Sequence, residues 1–338
     1  MENQHALHQR APRNRTLTVS PEEEPIYRER LLNITGPVTS ADIEGRIING
    51  DIEQIAGFLP EAFIDLLIAD PPYNLTKNFN GREFRERSDG EYAEYLESWF
   101  VKLLRLLKKT ASIYVCCDWK SSPAVYQVLN RYAIIRNRIT WQREKGRGAG
   151  ANWKNCVEDI WFATPGREYY FNTGAVMVRR KVIAPYRAGG IPKGWEETEE
   201  GNFRLTHPSN FWDDISVPYW SMPENTDHPT QKPEKLMAKL ILASSAPGDF
   251  VFDPFLGSGT TSVTAKKLGR RYSGVEVNTE YCIWAEKRLR RAEEDRSIQG
   301  YRDGIFWERN SAPRARARKA DGGPPDKRGG TEGGNIQE

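Results

Sequence analysis

The chain reads as an α/β protein with a doubly wound, mostly parallel sheet, and two stretches carry that expectation. The first is Asp253–Thr261, DPFLGSGTT, which follows the apolar pair Val251–Phe252 and leads into the helical pattern SVTAKKL. Glycines permit a tight turn and close approach of a ligand to the backbone, and a helix start presents unpaired N–H groups. The strand-like run Tyr272–Val275 then ends at Glu276, about 20 residues on, where an acid can bind ribose hydroxyls. Together these elements look like one half of a nucleotide-binding sheet. The second stretch is Ile64–Asn74, where the strand-like IDLLIA runs directly into DPPYN.

With 338 residues the chain has room for one large domain, or one domain with a sizeable insertion. A net charge of +3 with 28% charged residues neither demands nor excludes a nucleic-acid partner. Any such surface has to come from local basic patches. No run of about 18 apolar residues occurs and the N-terminus lacks a charged-then-apolar leader, which implies a soluble, cytoplasmic protein. The four cysteines, Cys116, Cys117, Cys156 and Cys282, form no CxxC pair and no His/Cys ligand spacing, so no metal site is expected. Cys116 and Cys117 sit in an apolar strand and read as buried thiols.

In chain order, residues 1–24 are polar, without a periodic apolar face, and are expected to be a disordered arm. Arg10, Arg13 and Arg15 there are solvated or reach a nucleic acid. The run RIINGD ends in Gly50-Asp51, and IEQIAGFLP reads as a short helix closed by Pro60, with Asp51 placed to cap it. After DPPYN comes a polar loop, Leu75–Asp89, whose length suits a lid or contact loop. Its Arg82, Arg85 and Arg87 either meet phosphates or are solvated. Tyr95, Leu96, Trp99, Leu103, Leu106 and Leu107 recur at helical spacing and predict an amphipathic helix over 92–107. A strand over Ala111–Cys117, a helix near Pro123–Tyr132 and a strand around Ile134–Trp141 follow.

Between Arg143 and about Asn225 the periodicity weakens. REKGRGAGANWKN sets Arg143, Lys145, Arg147 and Lys154 around Trp153, and Arg179, Arg180 and Lys181 follow. Trp195, Trp212 and Trp220, lying among prolines, are read as anchors of an irregular subdomain. PEKLMAKLILASSAPGD is a helix opened by Pro233 and ended by Pro247-Gly248-Asp249. Asn278–Arg296 is helical with mixed charge, and 312–338, rich in Gly, Pro, Arg and Lys, is expected to be a disordered tail.

On DPPYN, the glycine turn and a third motif, HPTQKP at His228–Pro233, the chain resembles the amino-methylating DNA methyltransferases. That family carries an (Asp/Asn/Ser)-Pro-Pro-(Tyr/Phe) catalytic turn and a (D/F)xFxGxG cofactor turn. The permuted order, catalytic turn before cofactor turn, resembles its β group, and the likeness covers about residues 45 to 290. The resemblance implies a Rossmann-like, S-adenosylmethionine-dependent methyltransferase domain over 25–311. Its catalytic half would span about 46–142, a target-recognition insert about 143–225 and a cofactor half about 226–296.

For the cofactor, the resemblance implies Asp253, Phe255, Gly257, Ser258, Gly259 and Thr260 in the turn, Glu276 on the ribose and Asp51 on the adenine ring. His228, Gln231 and Lys232 precede the turn, with Lys232 toward the methionine carboxylate; His228 can equally be a helix-entry residue satisfied by backbone. For DNA, Arg82, Arg85, Arg143, Lys145, Arg147 and Lys154 are the candidates. Cys156–Thr164 resembles a family strand that usually reads His-Glu where this chain has Val157-Glu158, so no role is assigned to the missing histidine.

The chemistry is legible from the residues. An exocyclic amine is a poor nucleophile because its lone pair is delocalised into the ring. Accepting hydrogen bonds from the amine localises that pair. Asp70 supplies a carboxylate acceptor, and the resemblance adds the Pro71 carbonyl, held rigidly by the proline ring, with Pro72 completing the turn and Tyr73 stacked on the target base. The base must leave the duplex to react, which predicts a cleft at the carboxyl ends of the strands. In the resembling family Asp at the first position goes with adenine N6 and Ser with cytosine N4. The expected reaction is therefore adenine-N6 methylation of double-stranded DNA, with cytosine N4 or an RNA substrate as alternatives. A cognate restriction endonuclease and a homodimer are the further partners this implies.

Overall fold

A computed structural model describes residues 11–79, 82–147, 150, 152–199, 201–309 and 311. Eight strands form the central sheet: β1 Arg46–Asn49, β2 Ile64–Ala69, β3 Leu107–Cys117, β4 Ile134–Arg147, β5 Asn155–Thr164, β6 Phe211–Trp212, β7 Phe250–Asp253 and β8 Arg271–Glu276. Their spatial order is β1-β8-β7-β2-β3-β5-β4-β6. All run parallel except β5, which lies antiparallel between β3 and β4. This is the doubly wound α/β architecture expected from the two strand–turn stretches.

The central strands are apolar on both faces because helices cover both. In β2, Leu67 and Ala69 enter the core beneath helices α1 (Asp89–Leu104) and α2 (Ser122–Tyr132), while Leu66 and Ile68 enter the opposite core. There they meet α3 (Glu234–Ser244) and α5 (Thr279–Glu294), with α4 (Thr260–Lys267) following the glycine turn. Helix α1 starts three residues earlier than its apolar spacing indicates. A capping box at Ser88 sets that start: the Ser88 hydroxyl accepts from Glu91 N, and the Glu91 carboxylate accepts from Ser88 N.

The chain leaves β2 toward β3 on one side and leaves β7 toward β8 on the other. β2 and β7 are neighbours, so the winding reverses between them and opens a crevice at their carboxyl ends. Because β5 is reversed, its first residues lie at this same edge. That edge therefore gathers Asp51 after β1, Asp70 after β2, Asp253 at the end of β7, Glu276 at the end of β8 and Glu158 near the start of β5.

Two sequence expectations are revised here. Residues 155–164, assigned to the insert, are a central strand of the main sheet, where β5 pairs with β4 over most of its length. The remaining insert builds a second sheet of five strands, ordered 196–198, 201–206, 178–181, 305–307 and 301–302, so the segment after α5 completes it. Likewise, residues 11–24 are not an unattached arm. Arg15 N donates to Trp220 O and Leu17 N to Asn225 O, Leu17 is buried, and Lys287 reaches Thr18 O and the Glu23 carboxylate. An extended segment held by a few backbone bonds and one apolar side chain leaves no periodicity to read. Arg10 and the expected tail, 312–338, lie outside the described residues.

Candidate active site

Asp70 leaves β2 at the crevice, and the rest of DPPYN is locked behind it. Tyr92 of α1 donates to the Pro72 carbonyl at 3.0 Å. Asn74 donates to Arg87 O at 2.9 Å and accepts from Arg87 N at 2.8 Å, closing the loop that follows, while its own N–H donates to Ser121 Oγ. The asparagine thus serves the turn rather than the cavity. Asp70 Oδ1 accepts from the Tyr73 hydroxyl at 2.9 Å and from Lys232 Nζ at 2.8 Å, and Oδ2 accepts from Lys232 Nζ at 2.7 Å. The Tyr73 hydroxyl also lies 3.1 Å from Glu158 Oε2, and Lys232 Nζ lies 3.4 Å from the same oxygen. Glu158 Oε1 accepts from Arg143 Nη1 at 2.7 Å.

Two carboxylates, an ammonium and a guanidinium form a compact, charge-balanced cluster. Burial raises the Asp70 pKa from its ordinary value; Lys232 opposes that rise and Glu158 adds to it. Tyr73 is pushed well up, first by burial and then by the two carboxylates, so its hydroxyl stays a donor. Burial alone would lower the Lys232 pKa, but Asp70 and Glu158 outweigh it and hold the ammonium charged.

The second half of the site is the glycine turn. Asp253 is buried; its Oδ1 accepts from Phe255 N at 2.9 Å and its Oδ2 from the Thr261 hydroxyl at 2.6 Å. Burial pushes its carboxyl up to about 7. Glu276 Oε2 accepts from Gly257 N at 2.9 Å and Oε1 from Asn278 N at 2.7 Å, which ties the acid to the turn. Gly257 and Gly259 both have positive φ, +54° and +87°. A Cβ at Gly257 would sit 3.0 Å from His228 Nε2, and one at Gly259 would sit 2.6 Å from Ala285 Cβ. Both positions combine a left-handed backbone with close approach, so glycine is required. Phe255 packs edge-on against Trp99 of α1.

His228 Nδ1 accepts from Thr230 N at 3.3 Å, and its ring packs edge-on against Tyr281. Burial, reinforced by Lys232, pushes its pKa down to about 3, so the imidazole is neutral. Gln231 braces its own loop: Oε1 accepts from Thr226 N and its hydroxyl, and Nε2 donates to Glu224 O. Asp51 caps the helix after β1, accepting from Glu53 N at 3.0 Å, and still faces the cavity. One cavity of about 1450 Å³ joins the two halves, lined among others by Asp51, Asp70, Tyr73, His228, Gly257 and Glu276. It exceeds the roughly 300–1,000 Å³ of a pocket for one small ligand.

Residues 64–287 match the family of DNA methylases that covers N6 and N4 methyltransferases. The chain belongs to the DNA methylase family. It is 34% identical over 250 residues to the DNA adenine methyltransferase YhdJ of Escherichia coli K12, covering 72% of this chain and 82% of that one. It is also 34% identical over 250 residues to the type II methyltransferase M.HpaI of Haemophilus parainfluenzae, covering 73% and 74%. Among solved structures, the PvuII cytosine-N4-specific DNA methyltransferase aligns over 74% of this chain and 92% of its own, at a TM-score of 0.54 and 18% identity. The M1.HpyAVI–SAM complex aligns over 72% and 98%, at 0.50 and 21%. At these identities the structural likeness speaks for the fold.

Within this methylase, several sequence-predicted residues take other partners than expected. Lys232, expected toward the cofactor, has its ammonium on Asp70. Arg143, expected on DNA, is bound to Glu158 inside the site. Tyr73, expected to stack on a base, presents its hydroxyl to Asp70 and Glu158. Ser258 O and Thr260 Oγ1 accept from the buried Arg288 of α5, which also reaches Glu234. Arg85 stands exposed, paired with Glu83, and Lys154 is exposed beside Trp153, which is 93% exposed. The side chains of Arg82, Lys145 and Arg147 lie outside the described residues. Trp195 and Trp212 are buried anchors, whereas Trp153 and Trp220 are exposed. Arg179 is absorbed between the Phe203 and Trp307 rings, and Arg180 pairs with Asp213 and Glu308.

Sequence reasoning missed Glu158 and Arg288 as site residues. The acid at Glu158 was visible in the family-like strand, yet its contacts span 85 residues to Tyr73 and depend on β5 being reversed.

Proposed function

We propose that this DNA methylase transfers a methyl group from S-adenosylmethionine to the N6 amine of an adenine flipped out of duplex DNA at a short specific site. The observation that carries this reading is the meeting of Asp70 and the glycine turn on one cavity large enough for a cofactor and a base together. The residues fit the cofactor: side-chain-free Gly257 lets a ligand approach the backbone beneath His228, and the Glu276 and Asp51 carboxylates suit hydroxyl and amine donors. Asp253, Phe255, Ser258, Thr260 and Gln231 complete or brace that wall. When bound, S-adenosylmethionine supplies a sulfonium-activated methyl carbon.

The chain's own residues act on the base. Asp70 accepts an N–H of the exocyclic amine and turns the nitrogen lone pair toward the methyl donor, with the Pro71 carbonyl as second acceptor and Tyr73 against the base. Because the methyl carbon is already activated, the protein contributes orientation and electrostatic preorganisation rather than a strong base. Flipping costs a few kcal/mol, which contacts from Arg85, Lys154 and the neighbouring basic residues to phosphates help to offset. Asp at position 70, together with 34% identity to a DNA adenine methyltransferase, favours adenine over cytosine. Identity to type II methyltransferases extends the reading to a cognate restriction endonuclease as partner, and the family resemblance to a homodimer.

The test is single-molecule sequencing of genomic DNA from cells expressing the chain, with Asp70→Ala as control. N6-methyladenine at one short motif, absent from the control, is the expected result. Modification at cytosine N4 would overturn the choice of base, and DNA with no modified base would overturn the reading.

A further inference from the structure

Asp70 meets a substrate amine with most of its carboxylate already taken by Lys232 and Tyr73. Of the four lone-pair positions on its two oxygens, three accept hydrogen bonds from these two side chains. A second carboxylate, Glu158, lies within reach of both donors, 3.1 Å from the Tyr73 hydroxyl and 3.4 Å from the Lys232 ammonium. Tyr73 has one proton for two acceptors. Lys232 is charged, buried and needs a carboxylate at all times, so it can leave Asp70 only for another anion.

From this geometry we infer that Glu158 is a positioning residue: it takes over Lys232 and the Tyr73 hydroxyl when the target base arrives, freeing Asp70 for the amine. Arg143 makes the handover possible. By holding Oε1 at 2.7 Å it leaves Oε2 aimed at the pair, and it sets a positive charge against the second carboxylate. Arg143 lies on β4, the strand that also carries Lys145 and Arg147. The inference rests on the methyl-transfer reading above.

The charged and titratable groups around Asp70 fix the sign of a pH test. They are Lys232 before α3, Glu158 on β5, Tyr73 on its own turn, Cys116 on β3 and Asp253 on β7, with Arg143 acting through Glu158. Removing the Glu158 charge takes away a repulsion and lets Asp70 ionise at lower pH. Removing the Arg143 charge leaves Glu158 uncompensated and does the opposite.

The experiment measures single-turnover methyl transfer by the full chain to a duplex carrying its site, at saturating S-adenosylmethionine and DNA, across pH. For Glu158→Gln the expected result is a rate lower by about 10–100-fold, with S-adenosylmethionine affinity and Tm held, and an acid limb moved to lower pH. For Arg143→Gln the acid limb moves to higher pH. A Glu158→Gln rate within about twofold of wild type, a loss that follows Tm and cofactor affinity together, or acid limbs that fail to move apart would each overturn the inference. If Glu158→Gln does not fold, an unmoved limb in Arg143→Gln is sufficient to overturn it. Failure of the wild type to methylate DNA would sink the underlying reading instead, and is seen before any variant is made.

Discussion

The two halves of the cavity are built by different means. The glycine turn is held largely by bonds from its own carboxylates to backbone between Asp253 and Asn278, as Asp253 to Phe255 N and Glu276 to Gly257 N and Asn278 N. The corner around Asp70 is assembled from afar, with Asp70, Arg143, Glu158 and Lys232 arriving on four separate segments and bonding side chain to side chain. Backbone geometry fixes the first rigidly and leaves little room for substitution. The second is held by charges that can exchange partners, so its behaviour depends on protonation and on what enters the cavity.

The sharpest way to break this comparison is Asp70→Ala, which removes the acceptor and leaves the local turn alone. Methyl transfer should fall by about 10²–10³-fold or more, while S-adenosylmethionine binding by calorimetry stays within about twofold. Loss of binding would mean that the halves are not separable. Next in size is Gly259→Ala. With φ at +87° and a Cβ 2.6 Å from Ala285 Cβ, the substitution should cost about 2–4 kcal/mol and lower Tm by several degrees; an unchanged melting curve would contradict a rigid turn.

Glu276→Gln sharpens the comparison further. It keeps shape but weakens two hydrogen bonds to backbone N–H groups, so the cofactor Kd should rise about tenfold, with the saturated rate nearly unchanged. A fall in saturated rate would place Glu276 in the chemistry.

The smallest effect concerns pH. Burial pushes Asp253 up to about 7, above its ordinary value near 4, so the folded chain holds this proton more tightly than the unfolded one. Its contribution to stability is therefore complete below about pH 4 and lost as pH rises toward 7. Asp253→Asn should flatten the fall of Tm over that window by a few degrees at most. Glu224, pushed to about 7 by burial and Glu234, retains its own share of the slope.

Much of the fold was legible. The apolar runs before DPPYN and DPFLGSGTT are strands because both faces of each are buried, and the residues that end them are turn formers with fixed backbone demands. Local rules also located the helices to within a few residues. The docked segment over 15–18 was not legible, because its attachment is backbone pairing to 220–225. The reversed β5 was not legible either, since strand direction leaves no mark on composition.

The sequence by itself determined which turns exist, in which order, and which chemistry each could support, because φ restrictions, glycine and the carboxylate are properties of single positions. Only the tertiary structure decided what Asp70, Lys232, Arg143 and Glu158 do to one another. Those interactions act over 2.7–3.4 Å between residues up to 162 apart in the chain, and electrostatic energy depends on distance and burial, neither of which a linear sequence contains.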